Sequence, residues 1–299
     1  MSIGVVTPFW LDRPPLEALD IAVAADEAGF RTLWIGEMAT FDAFALATAA
    51  GLRTSTISLK IGPLAAGVRS PVALALGLST VATTTGRRPD LALGASSPRI
   101  VSDWHGRPWA PVQHMRETIR DTRALLRGER VSGFRLQQPL PDTSISVAAF
   151  GPAMTAVAAE AADELVLNLV STDHVAQLQV SPPLAVWIPA ALDPGPDTLR
   201  QLRSQLSVYL SPPGYGEMFT ALGHGALVAE ARSGKPRSEL TIPLDLVEAV
   251  AAIGSARDIT SRVDAYLAAG AAHVGLVPAT AEDPAGRTLL TTLSAKGYR

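Results

Sequence analysis

The stretch SLKIGPLAAGVRSPVALALGLSTVATTTGRRPDLALG, residues 58–94, decides the fold. Its opening, 58–67, is an apolar run ending among small residues and reads as a strand. A helix begins at Pro71, where the missing N–H costs nothing, and ends before Gly86. Residues 89–94 (PDLALG) form the next strand. Strand, helix and strand in this order make a parallel βαβ unit.

The alternation continues in both directions. Toward the N-terminus, 32–37 (TLWIGE) is strand two and 3–9 (IGVVTPF) strand one, with helices over 16–30 and 41–53. Toward the C-terminus, two helical pieces flank GRPWAP (106–111), the second ending at Gly128. Residues 129–143 lack clear periodicity and read as a loop or hairpin. Strand five is 145–151, followed by an alanine-rich helix to about 163. Strand six is 164–170, a short helix covers 173–179, and strand seven is 184–192. Residues 196–270 are mostly helical, strand eight is 272–279, and a last helix covers 284–295. Eight strands alternating with helices point to an α/β fold, a (β/α)8 TIM barrel, rather than an open doubly wound sheet. The barrel is expected as a single domain over residues 1–299, with an extended helical segment between strands seven and eight.

The chain has 299 residues, 47% hydrophobic and 18% charged, enough to bury a sizeable core. A net charge of −3 gives no footprint for nucleic acid, and no basic run suggests an anionic membrane. With no cysteine, disulfides, thiolate metal sites and cysteine nucleophiles are excluded. The start, MSIGVVTPFW, has no basic region, and no apolar run reaches the length of a membrane span. A cytoplasmic protein is expected.

In barrels of this kind, function collects at the C-terminal ends of strands. Those ends hold many small residues and few titratable ones. Glu37 is the only carboxylate clearly at an early strand end, and Asp193 is a poor partner for it in glycoside hydrolysis. GASSP (94–98) fails the G-x-S-x-G nucleophile elbow, because Pro98 stands where the last glycine belongs. Histidines 105, 114, 174, 224 and 273 show no metal-ligand spacing. Side-chain chemistry is therefore poorly supplied, and a bound cofactor explains that. Two strand-to-helix corners suit its phosphate: Gly94, Ala95, Ser96 and Ser97, and Gly151, Pro152, Ala153 and Met154.

The run TLWIGEMATFDAFALATAA (32–50), with GVRSP (67–71) after strand three and GASSP…WHG (94–106) after strand four, resembles the bacterial luciferase-like flavin or deazaflavin oxidoreductases. It is most similar to the branch that uses coenzyme F420. The resemblance implies a non-prolyl cis peptide within Pro63, Leu64 and Ala65, backing the cofactor ring. It implies that Ala95, Ser96 and Ser97 touch the ring edge or ribityl chain. It assigns the phosphate to Gly151, Pro152, Ala153 and Met154. Arg69 is either a phosphate or tail partner or an ordinary surface arginine. Trp104 and His105 either border the pocket or pack as a helix end.

Relatives that oxidise sugar phosphates carry an Asp-His pair where this chain reads Glu37 and Met38, so a histidine acid/base is absent there. Glu37 is the catalytic candidate, as a proton relay, or else pairs with an arginine or a backbone N–H. Tyr215 and Phe219 line a lid or belong to the core.

The expected function is hydride transfer between F420 and a small organic substrate. The alternatives are an FMN-dependent monooxygenase and a non-catalytic flavin or deazaflavin binder. Helix 71–86 has no charge and helix 41–53 has little, which together with the resemblance implies a homodimer through these two helices.

Overall fold

The computed structural model describes residues 2–10, 12–37, 41–178 and 180–299. Along the chain run β1 (Ser2–Val6), α1 (Glu17–Glu27), β2 (Thr32–Ile35), α2 (Ala43–Arg53), β3 (Ser58–Ala65), α3 (Pro71–Thr85) and β4 (Asp90–Gly94). A wide helical turn over Arg99–Trp104 precedes α4 (Pro111–Leu126). The two-residue strands β5 (Arg130–Val131) and β6 (Phe134–Arg135) make the hairpin left open above. Then come β7 (Ile145–Ala148), α5 (Pro152–Ala161), β8 (Glu164–Asn168), α6 (Thr172–Gln177) and β9 (Leu184–Leu192). The long helical segment contains α7 (Pro196–Tyr209), α8 (Tyr215–Phe219), α9 (Gly225–Arg232), α10 (Leu244–Val250) and α11 (Ala256–Ala268). A short strand that periodicity did not reveal, β10 (Ala252–Gly254), interrupts it. The chain continues with β11 (His273–Pro278) and α12 (Arg287–Ala295). Each expected strand is present, several losing residues at the C-terminal end, where the chain turns away from its neighbour.

The chain divides into two compact units. One comprises Met1–Phe30, Leu167–Gln179 and Leu184–Arg299. In it β1, β11, β9 and β10 pair in parallel in that order. Gly275 is required here: a Cβ on it would fall 2.8 Å from the Trp187 ring and 2.9 Å from Val6. Helices α1, α11 and α12 bury Ile21, Val263, Tyr266 and Leu290. A polar knot closes this unit: Glu17 accepts from Arg13 (2.6 Å), the Thr280 hydroxyl (2.9 Å) and the Ala285 N–H (3.2 Å).

The other unit is Arg31–Val166 with Val180–Pro183. Strands β2, β3, β4, β7 and β8 pair in parallel in that order, each consecutive pair joined by a helix. The strands are buried on both faces and read as near-continuous apolar runs. Helices α2 and α3 approach through glycine. A Cβ at Gly51 would meet Thr85 at 2.6 Å, and one at Gly77 would meet the Phe44 ring at 2.8 Å. Among the described residues no helix is long and apolar enough to cross a membrane.

Candidate functional site

Three adjacent strand ends of the second unit carry the residues expected to hold a cofactor, beginning with β3. Its register to β4 shifts between Ile61 and Leu64, a bulge. Gly62 has φ +126°, and a Cβ there would fall 2.1 Å from the Ala92 carbonyl oxygen, so only glycine fits. The peptide Gly62–Pro63 is cis. The expectation of a non-prolyl cis bond within Pro63, Leu64 and Ala65 is thereby corrected. The cis bond precedes Pro63, whose tertiary amide is the type that adopts cis readily. Beyond the bulge Ala65 pairs with Gly94, and the Ala66 N–H donates to the Gly94 carbonyl at 2.9 Å.

At the end of β4, a Cβ on Gly94 would lie 3.2 Å from Pro63 Cβ and 3.7 Å from Ala148 Cβ. Pro63, Gly94 and Ala148 thus meet at the ends of β3, β4 and β7. Ala95 is half-buried, and Ser96 is exposed in the left-handed region with φ +63°. The Ser97 carbonyl and hydroxyl accept from Val101 N (3.0 Å) and Ile100 N (3.4 Å), which starts the following helical turn. Trp104 and His105, at the end of that turn, are both exposed, Trp104 by 54%.

At the third end Gly151 is extended and exposed, with open space where a Cβ would stand. Its carbonyl accepts from Met154 N (3.1 Å) and Thr155 N (3.0 Å), opening α5 without a side-chain cap. Pro152 and Ala153 are exposed, while Met154 is buried. Apart from Arg69, the residues expected to hold a cofactor therefore gather at three neighbouring strand ends, and none of them carries a negative charge.

Glu37 and Arg69 belong to a separate polar cluster in the same unit. Arg69 Nη2 donates to Glu37 Oε2 at 2.6 Å and to Asp42, and its guanidinium lies 5.3 Å from the centre of the Phe44 ring. Glu37 Oε2 also accepts from Ala43 N at 3.1 Å. Asp42 caps α2, accepting from Ala45 N at 3.0 Å. Burial pushes the Asp42 carboxyl up, but the Ala45 N–H and Arg69 outweigh it and leave it below its ordinary value. Arg69 thus has its charge matched within the chain, while its Nε is buried with no partner among the described residues. Glu37 makes both kinds of pairing that the sequence allowed. Met38 lies outside the described residues.

In the first unit, Tyr215 donates to the backbone oxygen of Asn168 at 2.8 Å, and Phe219 is fully buried. Phe219 is therefore core. Two arrangements escaped sequence reasoning. One is Tyr209, whose oxygen accepts from Asn168 Nδ2 at 3.2 Å. No local pattern marks a tyrosine at a helix end as the partner of a residue 41 positions earlier. The other is a largely buried ion pair of the second unit, Lys60 with Glu164 at 2.5 Å. Its one signal was a lysine inside the apolar strand SLKIG.

Among the described residues no group of acidic or histidine side chains could hold a metal. The candidate site offers small residues and a helix N-terminus. Such a set can bind and orient a phosphate-bearing ring system, and it lacks a nucleophile with an adjacent base.

Comparison with known proteins identifies the family. One relative is a Mycobacterium tuberculosis protein whose name, coenzyme F420-dependent oxidoreductase, is provisional. It is 28% identical over 187 residues, 54% of this chain and 54% of the relative, so the chain spans about half the length of that protein. An F420-dependent secondary alcohol dehydrogenase, solved with an F420-acetone adduct, superposes with a TM-score of 0.77 at 15% identity, covering 100% of this chain and 99% of the other. The oxygenating constituent of 3,6-diketocamphane monooxygenase from Pseudomonas putida, solved with FMN, gives 0.67 at 18% identity, covering 98% and 96%. Residues 1–180 match the family described as luciferase-like monooxygenase. The chain belongs to that luciferase-like family and has its (β/α)8 barrel fold.

Proposed function

We propose that this chain is a coenzyme F420-dependent oxidoreductase that transfers hydride between the deazaflavin ring and a small organic substrate. The observation that supports it most is the meeting of three small-residue corners, free of carboxylates, at adjacent strand ends. The cofactor fits these residues: Gly151 leaves open space at an uncapped helix N-terminus, where the helix dipole and the Ala153 N–H favour a phosphate. The bulge at Gly62–Leu64 would back the ring, and Ala95–Ser97 would border its edge. The bound coenzyme supplies the hydride. The protein orients the ring and keeps water away from it, which is where most of the catalysis arises. Glu37 is the candidate proton carrier: among the described residues, its hydrogen bonds from Ala43 N and Arg69 both reach Oε2. The FMN-bound neighbour supports a second reading, a flavin monooxygenase.

We also infer a homodimer through α2 and α3. Leu52 is 66% and Leu76 47% exposed. The exposed stripe of α3, Ala73, Leu76, Thr80 and Thr83, has no charge. Thr80 and Thr83 turn their hydroxyls back onto the carbonyls of Leu76 and Ser79, both at 2.8 Å, so the stripe presents little polarity.

The test is fluorescence titration of the purified protein with F420 and, separately, with FMN. Saturable binding of F420 alone is expected. Gly151→Asp places a carboxylate at the start of α5 without a steric clash, and should weaken F420 at least tenfold. Preference for FMN selects the flavin reading. Binding of neither, or an unchanged affinity in Gly151→Asp, overturns this placement of the cofactor. Turnover of a substrate panel by the reduced coenzyme separates an enzyme from a binder.

A further inference from the structure

We propose that the segment Arg99–Trp109 docks the anionic tail of the coenzyme, with Arg99 and Arg107 pairing to the carboxylates of its oligoglutamate. This rests on the F420 reading above, because a run of glutamates beyond the phosphate belongs to that coenzyme and FMN ends at its phosphate.

Charge is unevenly placed in the chain. The second unit has more Lys and Arg than Asp and Glu, although the chain as a whole carries a net charge of −3. Near the strand ends Arg69 is matched by Glu37 and Asp42, and along α4 Arg116 and Arg123 pair with Glu160 (3.0 Å) and Asp163 (2.7 Å). Arg99 and Arg107 are exposed and meet no carboxylate among the described residues. Asp103, also exposed, is the one acidic residue of the segment.

The backbone gathers the two arginines. The wide turn Arg99–Trp104 is anchored by Val101, which is 1% exposed. Gly106, at φ +61°, lets the chain double back, and the Arg107 N–H then donates to the Val101 carbonyl at 3.0 Å. Arg107 is thereby returned to the turn that Arg99 opens. Trp104 and Trp109 are 54% and 39% exposed, although tryptophan ordinarily keeps most of its surface buried. Their faces suit the methylene links of a glutamyl chain, as the guanidinium groups suit its carboxylates.

The segment is also in the right place within its own unit. It follows directly on Ala95–Ser97 at the end of β4, and β4 pairs with β7, whose end leads to Gly151. It runs on into α4, which lies along α5 through the two ion pairs given above. A tail leaving a phosphate at Gly151 therefore has this cationic segment at the neighbouring strand end. Exposed ion pairs are individually weak and screened by salt, so the expected effect is moderate and depends on ionic strength.

The experiment is fluorescence titration of the purified protein with two forms of the coenzyme. One carries five glutamates; the other keeps the deazaflavin and the phosphate and has no glutamate. Wild type is expected to bind the pentaglutamyl form about three- to tenfold more tightly at low salt, and less than about twofold more tightly at about 0.5 M salt. The double variant Arg99→Gln/Arg107→Gln should lose this preference and keep its affinity for the tail-less form. Arg127→Gln/Arg135→Gln removes two exposed arginines at the other end of α4 and in the hairpin beyond it, and should keep the preference. Equal affinity of wild type for the two forms, a preference retained in Arg99→Gln/Arg107→Gln, or the same loss in Arg127→Gln/Arg135→Gln overturns the proposal and leaves the cofactor reading standing. Binding of neither form overturns both.

Discussion

Replacing Lys60 by methionine isolates the energetics of the buried ion pair. Lys60 and Glu164 side chains are only 11% and 14% exposed and meet at 2.5 Å. The ammonium also lies 4.4 Å from the centre of the Trp34 ring, and the Ser146 hydroxyl donates to Glu164 at 2.8 Å. At an effective dielectric constant of about 20, the direct attraction is roughly 6–7 kcal/mol, and desolvation cancels much of it. Removing one partner leaves a buried carboxylate uncompensated, at a cost of about 3–5 kcal/mol. Asp90 adds a pH signature. Burial pushes its carboxyl up, the Ser144 N–H and the Lys60 charge pull it down, and the balance stays above the ordinary value. Without Lys60, Asp90 loses that pull and rises further. A carboxyl raised in the folded state binds more protons there than in the unfolded chain, so stability falls as pH rises through that window. Lys60→Met should therefore lose about 3–5 kcal/mol at pH 7 and clearly less at pH 4–5, each relative to wild type at the same pH. Urea denaturation followed by tryptophan fluorescence measures this. The double variant Lys60→Met/Glu164→Met should recover at least half of the loss. A cost below about 1 kcal/mol at pH 7, or one independent of pH, refutes the reasoning.

Three other perturbations probe the site. Glu37→Gln keeps an acceptor for Arg69 and Ala43, so folding should be unaffected; a proton carrier predicts loss of one limb of the pH profile of kcat/KM, and an unaltered profile excludes the role. Gly62→Ala drives a methyl to 2.1 Å from the Ala92 oxygen in a left-handed backbone and should cost at least about 3 kcal/mol, read as a fall in Tm; an unchanged Tm would disprove the steric account. Leu76→Asp puts a charge on the exposed α3 stripe and should halve the mass measured by analytical ultracentrifugation, whereas a mass independent of this change removes the proposed interface.

Local physics made the strands and their small-residue ends legible. Apolar runs bounded by Gly67, Gly94 and Gly151 mark strand ends, and a charge-poor rim of small residues is a property of composition at known positions. Long-range geometry was not legible. The cis bond falls at Gly62–Pro63 because of how β3 shifts its register against β4, which only the paired strands show. β10 is three residues long, too short for a period, and exists because Ala252 finds Ala190 beside it. Arg69 could be read as free to meet an anion until Glu37 and Asp42 were seen beside it. Tyr209 acquires meaning only through Asn168.

The order of the chain has a consequence for its synthesis. The second unit is almost one uninterrupted segment, Arg31–Val166, whereas the first needs both ends of the polypeptide. Ser2 pairs with His273, so β1 cannot complete the pairing within its own unit until nearly the whole chain has been made. At about 5–20 residues per second, that wait lasts roughly 15–55 s. Over the same interval the segment bearing the three small-residue corners has already left the ribosome in full. The nascent protein can therefore assemble these corners early, while its first strand, apolar from Ile3 to Val6, still waits for β11.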